Sequence, residues 1–258
     1  VENIPNLLVG YSNYENRVAG KSFVKRIRVH QDQVMVEEQV AETEFSIGPM
    51  SMSDYDNDGD LDLFVGGRSI PGRYPEAASS KLYRNEGGTF ILDQDNSQQF
   101  ESIGMVSGSV FSDLDGDGDG DLILAVEWGP VMIFRNNNGQ FTEVTEALGM
   151  AKYRGLWNGV TTGDIDGDGE LEIVFGGYST SGKLFAINPD GTDVPGFPII
   201  LGEKIQKGVA LADFNGNDKV DIVCGTDSGN LWLIYDDGTV ADGFPFEAPG
   251  DFRSAPSI

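Results

Sequence analysis

Four nine-residue windows constrain this chain more tightly than any other feature of it: DYDNDGDLD from Asp54, DLDGDGDGD from Asp113, DIDGDGELE from Asp164 and DFNGNDKVD from Asp213. The pattern sets hard oxygen donors at every second position and, in the first three windows, a Gly at the sixth to turn the backbone, which is what a hepta-coordinate Ca²⁺ asks of a short loop. Positions one, three, five and nine offer side chains: Asp54, Asp56, Asp58 and Asp62; Asp113, Asp115, Asp117 and Asp121; Asp164, Asp166, Asp168 and Glu172; Asp213, Asn215, Asn217 and Asp221. By analogy with known loops, position seven (Asp60, Asp119, Glu170, Lys219) offers its backbone carbonyl, so even Lys is tolerated there. One Ca²⁺ per window is expected, up to four in all.

An EF-hand opens in the same way but needs a bidentate Glu at position twelve and a helix after it. Position twelve here is Val65, Leu124, Phe175 and Cys224, none of them a hard oxygen ligand. The residues leaving each window, LDLFVGG, DLILAVEW, LEIVFGG and DIVCGT, are β-formers that alternate or run apolar. Each loop is therefore expected to close a β-hairpin.

The windows start 59, 51 and 49 residues apart. A period near fifty with several short strands in each period is the signature of a propeller or similar array. The second unit reads as GSVFS (108–112), DLILAVEW (121–128), VMIFRN (131–136) after a Gly-Pro turn, and FTEVT (141–145). The third gives GVTTG, LEIVFGG, KLFAIN and PIIL, with turns at Ser-Gly and Asp-Gly; the fourth gives GVALA, DIVCGT, NLWLIY and FPFE. The first complete unit gives PMSMS, LDLFVGG, KLYRN and TFIL, and inserts RSIPGRYPEAASS between its second and third strands. The fold expected is all-β: a β-propeller of four-stranded blades, with repeat units at about 1–47, 48–107, 108–158, 159–207 and 208–258 in a single domain.

The two ends carry the same phase of the repeat. NLLVG (6–10) matches a strand leaving a calcium loop, and RSAPSI (253–258) matches a strand entering one. Two arrangements follow: a closed five-bladed ring completed by residues 254–258, or a fragment of a propeller of seven or eight blades. NIPN at 3–6 resembles the tail of a fifth calcium loop and tips the reading toward the fragment.

The formal charge of −25 is explained by location, since the four windows hold 18 of the 42 acidic residues. Four bound Ca²⁺ would bring it to about −17. That charge argues against nucleic acid or an anionic bilayer as a direct partner, because no basic stripe offsets phosphate. The one cationic cluster, Lys21, Lys25, Arg26 and Arg28 with His30, sits in FVKRIRVH, which reads as a strand with a solvated face, a local anion site being the lesser reading. The sole cysteine, Cys224, is expected as a buried strand thiol. No apolar run reaches 18 residues, so no membrane insertion is expected, and VENIPNLLVG is not expected to be a signal peptide.

The motifs GSVFSDLDGDGDGDLILA, GVTTGDIDGDGELEIVFGG and GVALADFNGNDKVDIVCGT resemble the FG-GAP repeats of integrin alpha-subunit propellers and of secreted bacterial proteins. FVGG (64–67) and VFGG (174–177) stand where that family has its Phe-Gly element, and Glu172 replaces its usual Asp at position nine. The resemblance covers nearly the whole chain and implies loops in blade hairpins, away from a ligand face. The fourth loop has only Asp213 and Asp221 as acidic ligands and is expected to bind most weakly.

A non-enzymatic binding or adhesion module for a protein or glycan ligand is the leading expectation, in an extracellular, cell-surface or periplasmic setting where calcium is abundant. Candidate contacts are Arg68, Arg73 and Tyr74 in the insertion and the loop aromatics Trp128, Trp157 and Tyr178, while Trp232 in NLWLIY reads as core. A structural propeller with activity in flanking domains of a longer chain is a second expectation. The alternative is a calcium-dependent polysaccharide lyase, because the chain more distantly resembles propeller-type rhamnogalacturonan lyases. His30 has no acidic partner in a motif, and no Ser/His/Asp set, Walker loop or zinc cluster is present, so no catalytic residue is assigned.

Overall fold

The computed structural model describes residues 6–12, 22–30, 33–179 and 181–257. Readings that fall on Asn3–Pro5, Lys21 and Ile258, and on the side chain of His30, lie outside the described residues. The described chain is all-β, built as five antiparallel sheets in chain order.

The first sheet is three-stranded: β1 (Asn6–Tyr11), β2 (Ser22–His30) and β3 (Gln33–Thr43). The next is β4 (Ser46–Ser53), β5 (Asp62–Ser69), β6 (Lys81–Glu86) and β7 (Thr89–Leu92), followed by a short helix α1 (Gln94–Gln99). Then come β8 (Met105–Ser112), β9 (Asp121–Glu127), β10 (Gly129–Asn137) and β11 (Gln140–Glu143), with β12 (Arg154–Gly155) pairing back onto the start of β10. The fourth sheet is β13 (Trp157–Gly163), β14 (Glu172–Gly177), β15 (Lys183–Ile187) and β16 (Ile199–Ile200). The fifth is β17 (Ala210–Ala212), β18 (Asp221–Gly225), β19 (Asn230–Ile234) and β20 (Phe246–Glu247). Each acidic window joins the first strand of a four-stranded sheet to its second.

Two details depart from the sequence reading. Gly129 and Pro130 belong to β10, and the turn before them is made by Trp128 alone, at φ 62°. The helix α1 was not legible in DQDNSQQF; Asp93 caps it by accepting the Asn96 N–H at 3.0 Å, a local device that needs no periodicity. Residues 254–257 lie in no strand, so closure of the first sheet by this segment is not observed among the described residues.

The chain forms two compact units, residues 1–106 and 107–258. In the first, Val24 and Val40 of the three-stranded sheet pack with Leu63, Val65, Tyr83 and Phe90 of the next. In the second, β14 shows how the stacking works. Its Ile173 and Phe175 face Ile123 and Ala125 of β9, while the intervening Val174 faces Ile222 and Cys224 of β18. The period of two sends alternate side chains into opposite cores, so the strand is buried on both faces and reads as a continuous apolar run. Cys224 is fully buried, and burial pushes its thiol up to about 12.

Where the first strands of successive sheets meet in this unit, backbone touches backbone. A Cβ on Gly108 would lie 2.8 Å from the Gly159 Cα, and one on Gly159 would lie 2.7 Å from the Gly208 Cα. No side chain fits at Gly108 or Gly159, which accounts for the Gly that opens GSVFS and GVTTG.

Candidate metal loops

Each loop is organised from its first residue outward. Asp54 accepts the N–H groups of Asp58 and Gly59 at 3.0 and 2.9 Å. Asp113 accepts those of Gly116 and Gly118, Asp164 those of Gly167 and Gly169, and Asp213 those of Gly216 and Asp218. The first Asp is thus an anchor that curls the loop around its own carboxylate. The sixth position needs positive φ: Gly59, Gly118 and Gly169 supply it at 93–94°, and Asp218 adopts 63° in the fourth loop.

Position nine works differently, because it sits fully buried at the start of the second strand. Asp62 accepts the N–H of Tyr55 in its own loop and that of Asn85 at the end of β6. Asp121 does the same with Leu114 and Asn136, and Asp221 with Phe214 and Asp236. One carboxylate therefore ties the loop to the third strand of its sheet, or in the fourth loop to the turn just after it. Glu172 breaks the rule: Oε2 accepts the Ile165 N–H at 2.6 Å, and Oε1 is buried with no hydrogen-bond donor.

Carboxylate oxygens converge to within 4.8 Å of one another in three loops: Asp54, Asp56 and Asp58; Asp113, Asp115 and Asp117; Asp164, Asp166 and Glu172. The extra methylene of Glu172 carries its carboxylate into the third group, where the other loops use position five. Desolvation raises Glu172 to about 7 and Asp62 to about 6, and it also raises Asp56 and Asp121. The oxygens are hard and anionic, closely set, and in part without donors. That donor set fits a Ca²⁺ ion. The second loop also holds an internal cation: Arg135 on β10 reaches Asp121 at 2.5 Å and Asp115 at 3.4 Å. In the fourth loop Asn217 donates to Asp236 at 2.9 Å, and Lys219 reaches the same residue at 3.3 Å.

The candidate ligand contacts separate by burial. Trp157 is core, with its indole N–H donated to the Gly129 carbonyl at 3.0 Å. Trp128 and Tyr74 are exposed, and Tyr178 is half-buried. Arg73 is exposed and paired with Glu76, and Arg68 is half-buried at the end of β5. Trp232 is partly buried against the Ile222 and Cys224 cluster. The basic strand is engaged too: Arg26 donates to the Gly88 carbonyl at 2.7 Å and Arg28 pairs with Glu37 at 2.6 Å.

A family model described as FG-GAP-like repeat matches residues 54–124, 113–175 and 164–224. No curated protein matches the chain. Among solved structures, the computationally designed Ika8 protein is similar at TM-score 0.52 and 12% identity, over 96% of this chain and 61% of that one. BBS1N, solved in complex with ARL6DN, is similar at TM-score 0.50 and 14% identity, over 77% of this chain and 53% of that one. The Vibrio cholerae biofilm matrix protein Bap1 gives TM-score 0.46 at 12% identity, over 91% of this chain and 38% of that one. The chain spans less than two thirds of the length of each of these three.

Proposed function

The chain belongs to the FG-GAP-like repeat family, and on that footing we propose that it is a calcium-binding β-propeller module that holds a protein or glycan ligand outside the cytoplasm. Each four-stranded sheet is one blade. The face-to-face stacking of three successive sheets in residues 107–258 supports this reading. One observation carries the calcium assignment: three loops gather carboxylate oxygens within 4.8 Å, and in the third the buried Glu172 Oε1 has no donor. Asp54, Asp56, Asp58 and Asp62, and their counterparts in the other three loops, would hold the ions. Bound Ca²⁺ would supply the positive charge these oxygens lack and pin each hairpin. Millimolar calcium outside cells suits such loops.

The reading is non-catalytic. The regularly spaced carboxylates serve their own loops, and the half-buried Tyr153 phenol is a poor base. Burial and the Asp193 carboxylate, which accepts its hydroxyl at 2.7 Å, hold it protonated well above the ordinary phenol range. The test is retention of glycans and matrix proteins on the purified chain in millimolar Ca²⁺ and in chelator, with uronate unsaturation absorbance followed in the same wells. Calcium uptake and calcium-dependent retention without new absorbance are expected. New absorbance would convert the assignment to a lyase, and failure to take up calcium would remove the module reading.

A further inference from the structure

At the end of the β13–β16 sheet opposite its metal loop, a surface cavity of about 390 Å³ opens. Its floor is aromatic and rigid: Trp157 and Phe185 are buried, edge-on at 5.8 Å, and the indole is held by the Gly129 carbonyl. Its walls are the half-buried rings of Tyr153 and Tyr178. The Tyr153 ring is fixed by its bond to Asp193, and the Lys204 ammonium lies 5.1 Å over the Tyr178 ring.

Charge singles this cavity out. The chain has 42 acidic and 17 basic residues, yet the lining contains Lys152, Arg154 and Lys183 and not one carboxylate. All three cations are exposed and none is in an ion pair among the described residues; the Lys152 ammonium lies 4.7 Å over the Tyr153 ring and 3.5 Å from the Gly191 carbonyl. Hydroxyls complete the rim, with Ser179 and Ser181 2.9 Å apart. The volume falls in the range of ligand pockets, roughly 300–1,000 Å³.

We infer that this cavity binds an anionic saccharide, one bearing a carboxylate or sulfate, and that it is the ligand site of the module proposed above, on which this inference rests. Three basic residues and no acidic one in the lining of one space match an anion in a protein whose surface otherwise repels it. The half-buried tyrosine rings, each with an ammonium over it, offer a sugar an aromatic and cationic wall, and the serines and Arg154 offer hydrogen bonds to its hydroxyls and acid group. The site is separate from the metal loop: β14 runs from Glu172 at the loop to Gly177 at the cavity, about 17 Å at strand rise.

The test is calorimetric titration of the full chain in millimolar Ca²⁺ with trigalacturonate, a chondroitin sulfate tetrasaccharide, neutral maltotriose and hexaglutamate. The same titrations are run on the Arg154→Glu/Lys183→Glu double variant and on Tyr178→Ala. The mutated side chains are exposed or half-buried, so melting temperatures should stay at the parent value. Binding of an acidic saccharide, absent for maltotriose and weakened about tenfold or more in each variant, is expected. Equal binding by parent and double variant would overturn the site, as would hexaglutamate binding as tightly as the saccharides. If the chain still takes up calcium and retains proteins or neutral glycans while charge reversal changes nothing, the module reading stands and this site falls. If it retains no ligand at all, both fall.

Discussion

Glu172 accepts the backbone N–H of Ile165 through one carboxylate oxygen and keeps the other buried without a donor. The three aspartates at the same position each have both oxygens bonded to backbone amides. A single methylene thus converts a tie between loop and strand into an arm that reaches the loop centre.

This arm makes the metal-free protein pH-sensitive. Glu172 titrates in the fold at about 7 against its ordinary 4.5, and Asp62 at about 6 against 3.8. Both values are raised, so the folded state binds these protons more tightly than the unfolded chain. Their contribution is fully present below about pH 4 and is lost as pH rises through 6 to 7. In chelator, the melting temperature should therefore fall between pH 5 and pH 7.5, and Glu172→Gln should flatten part of that fall. Saturating Ca²⁺ should abolish it, because the ion favours the charged form. A flat metal-free profile across this window would refute the assignment.

Arg135 acts as a resident counter-ion in the second loop. Asp121 is fully buried and Arg135 partly so, at 2.5 Å. Removing the guanidinium in Arg135→Ala should cost roughly 3 kcal/mol in chelator, because a buried carboxylate is left without its partner. In Ca²⁺ the loss should be smaller, with the ion taking over the role. Urea unfolding in the two buffers measures both; an equal loss in each would separate Arg135 from the metal.

The glycine contacts between first strands predict an asymmetry. Gly159→Ala would drive a methyl to within 2.7 Å of the Gly208 Cα and should destabilise by about 1–3 kcal/mol. Gly208→Ala has its nearest neighbour, the Ala255 Cβ, at 3.8 Å and should be close to neutral. Similar melting temperatures for the two variants would show that the strands can move apart.

Calcium should load the four loops unequally. Asn215 and Asn217 place neutral oxygens where the other loops have carboxylates, and Asn217 also donates to Asp236. Titration with Ca²⁺ should resolve tighter uptake at the first three loops from one weaker step, and Asp213→Ala should delete only the weak step. Loss of a tight step in that variant would reverse the order.

By itself the sequence determined what short spacing can determine. Donors two residues apart close onto one centre, a Gly or Asp at the sixth position turns the chain, and β-formers on either side make the loop a hairpin; all of this is local, and the strands lie where the windows placed them. Cys224 as a buried thiol followed from the same periodicity. Only the tertiary structure decided which groups meet across the sheets. Arg135 reaches a carboxylate 14 residues away, Gly159 touches a backbone 49 residues on, and Lys152, Arg154 and Lys183 gather around Trp157. Such contacts depend on sheet stacking and strand register, which packing of the whole core sets and no nine-residue window contains.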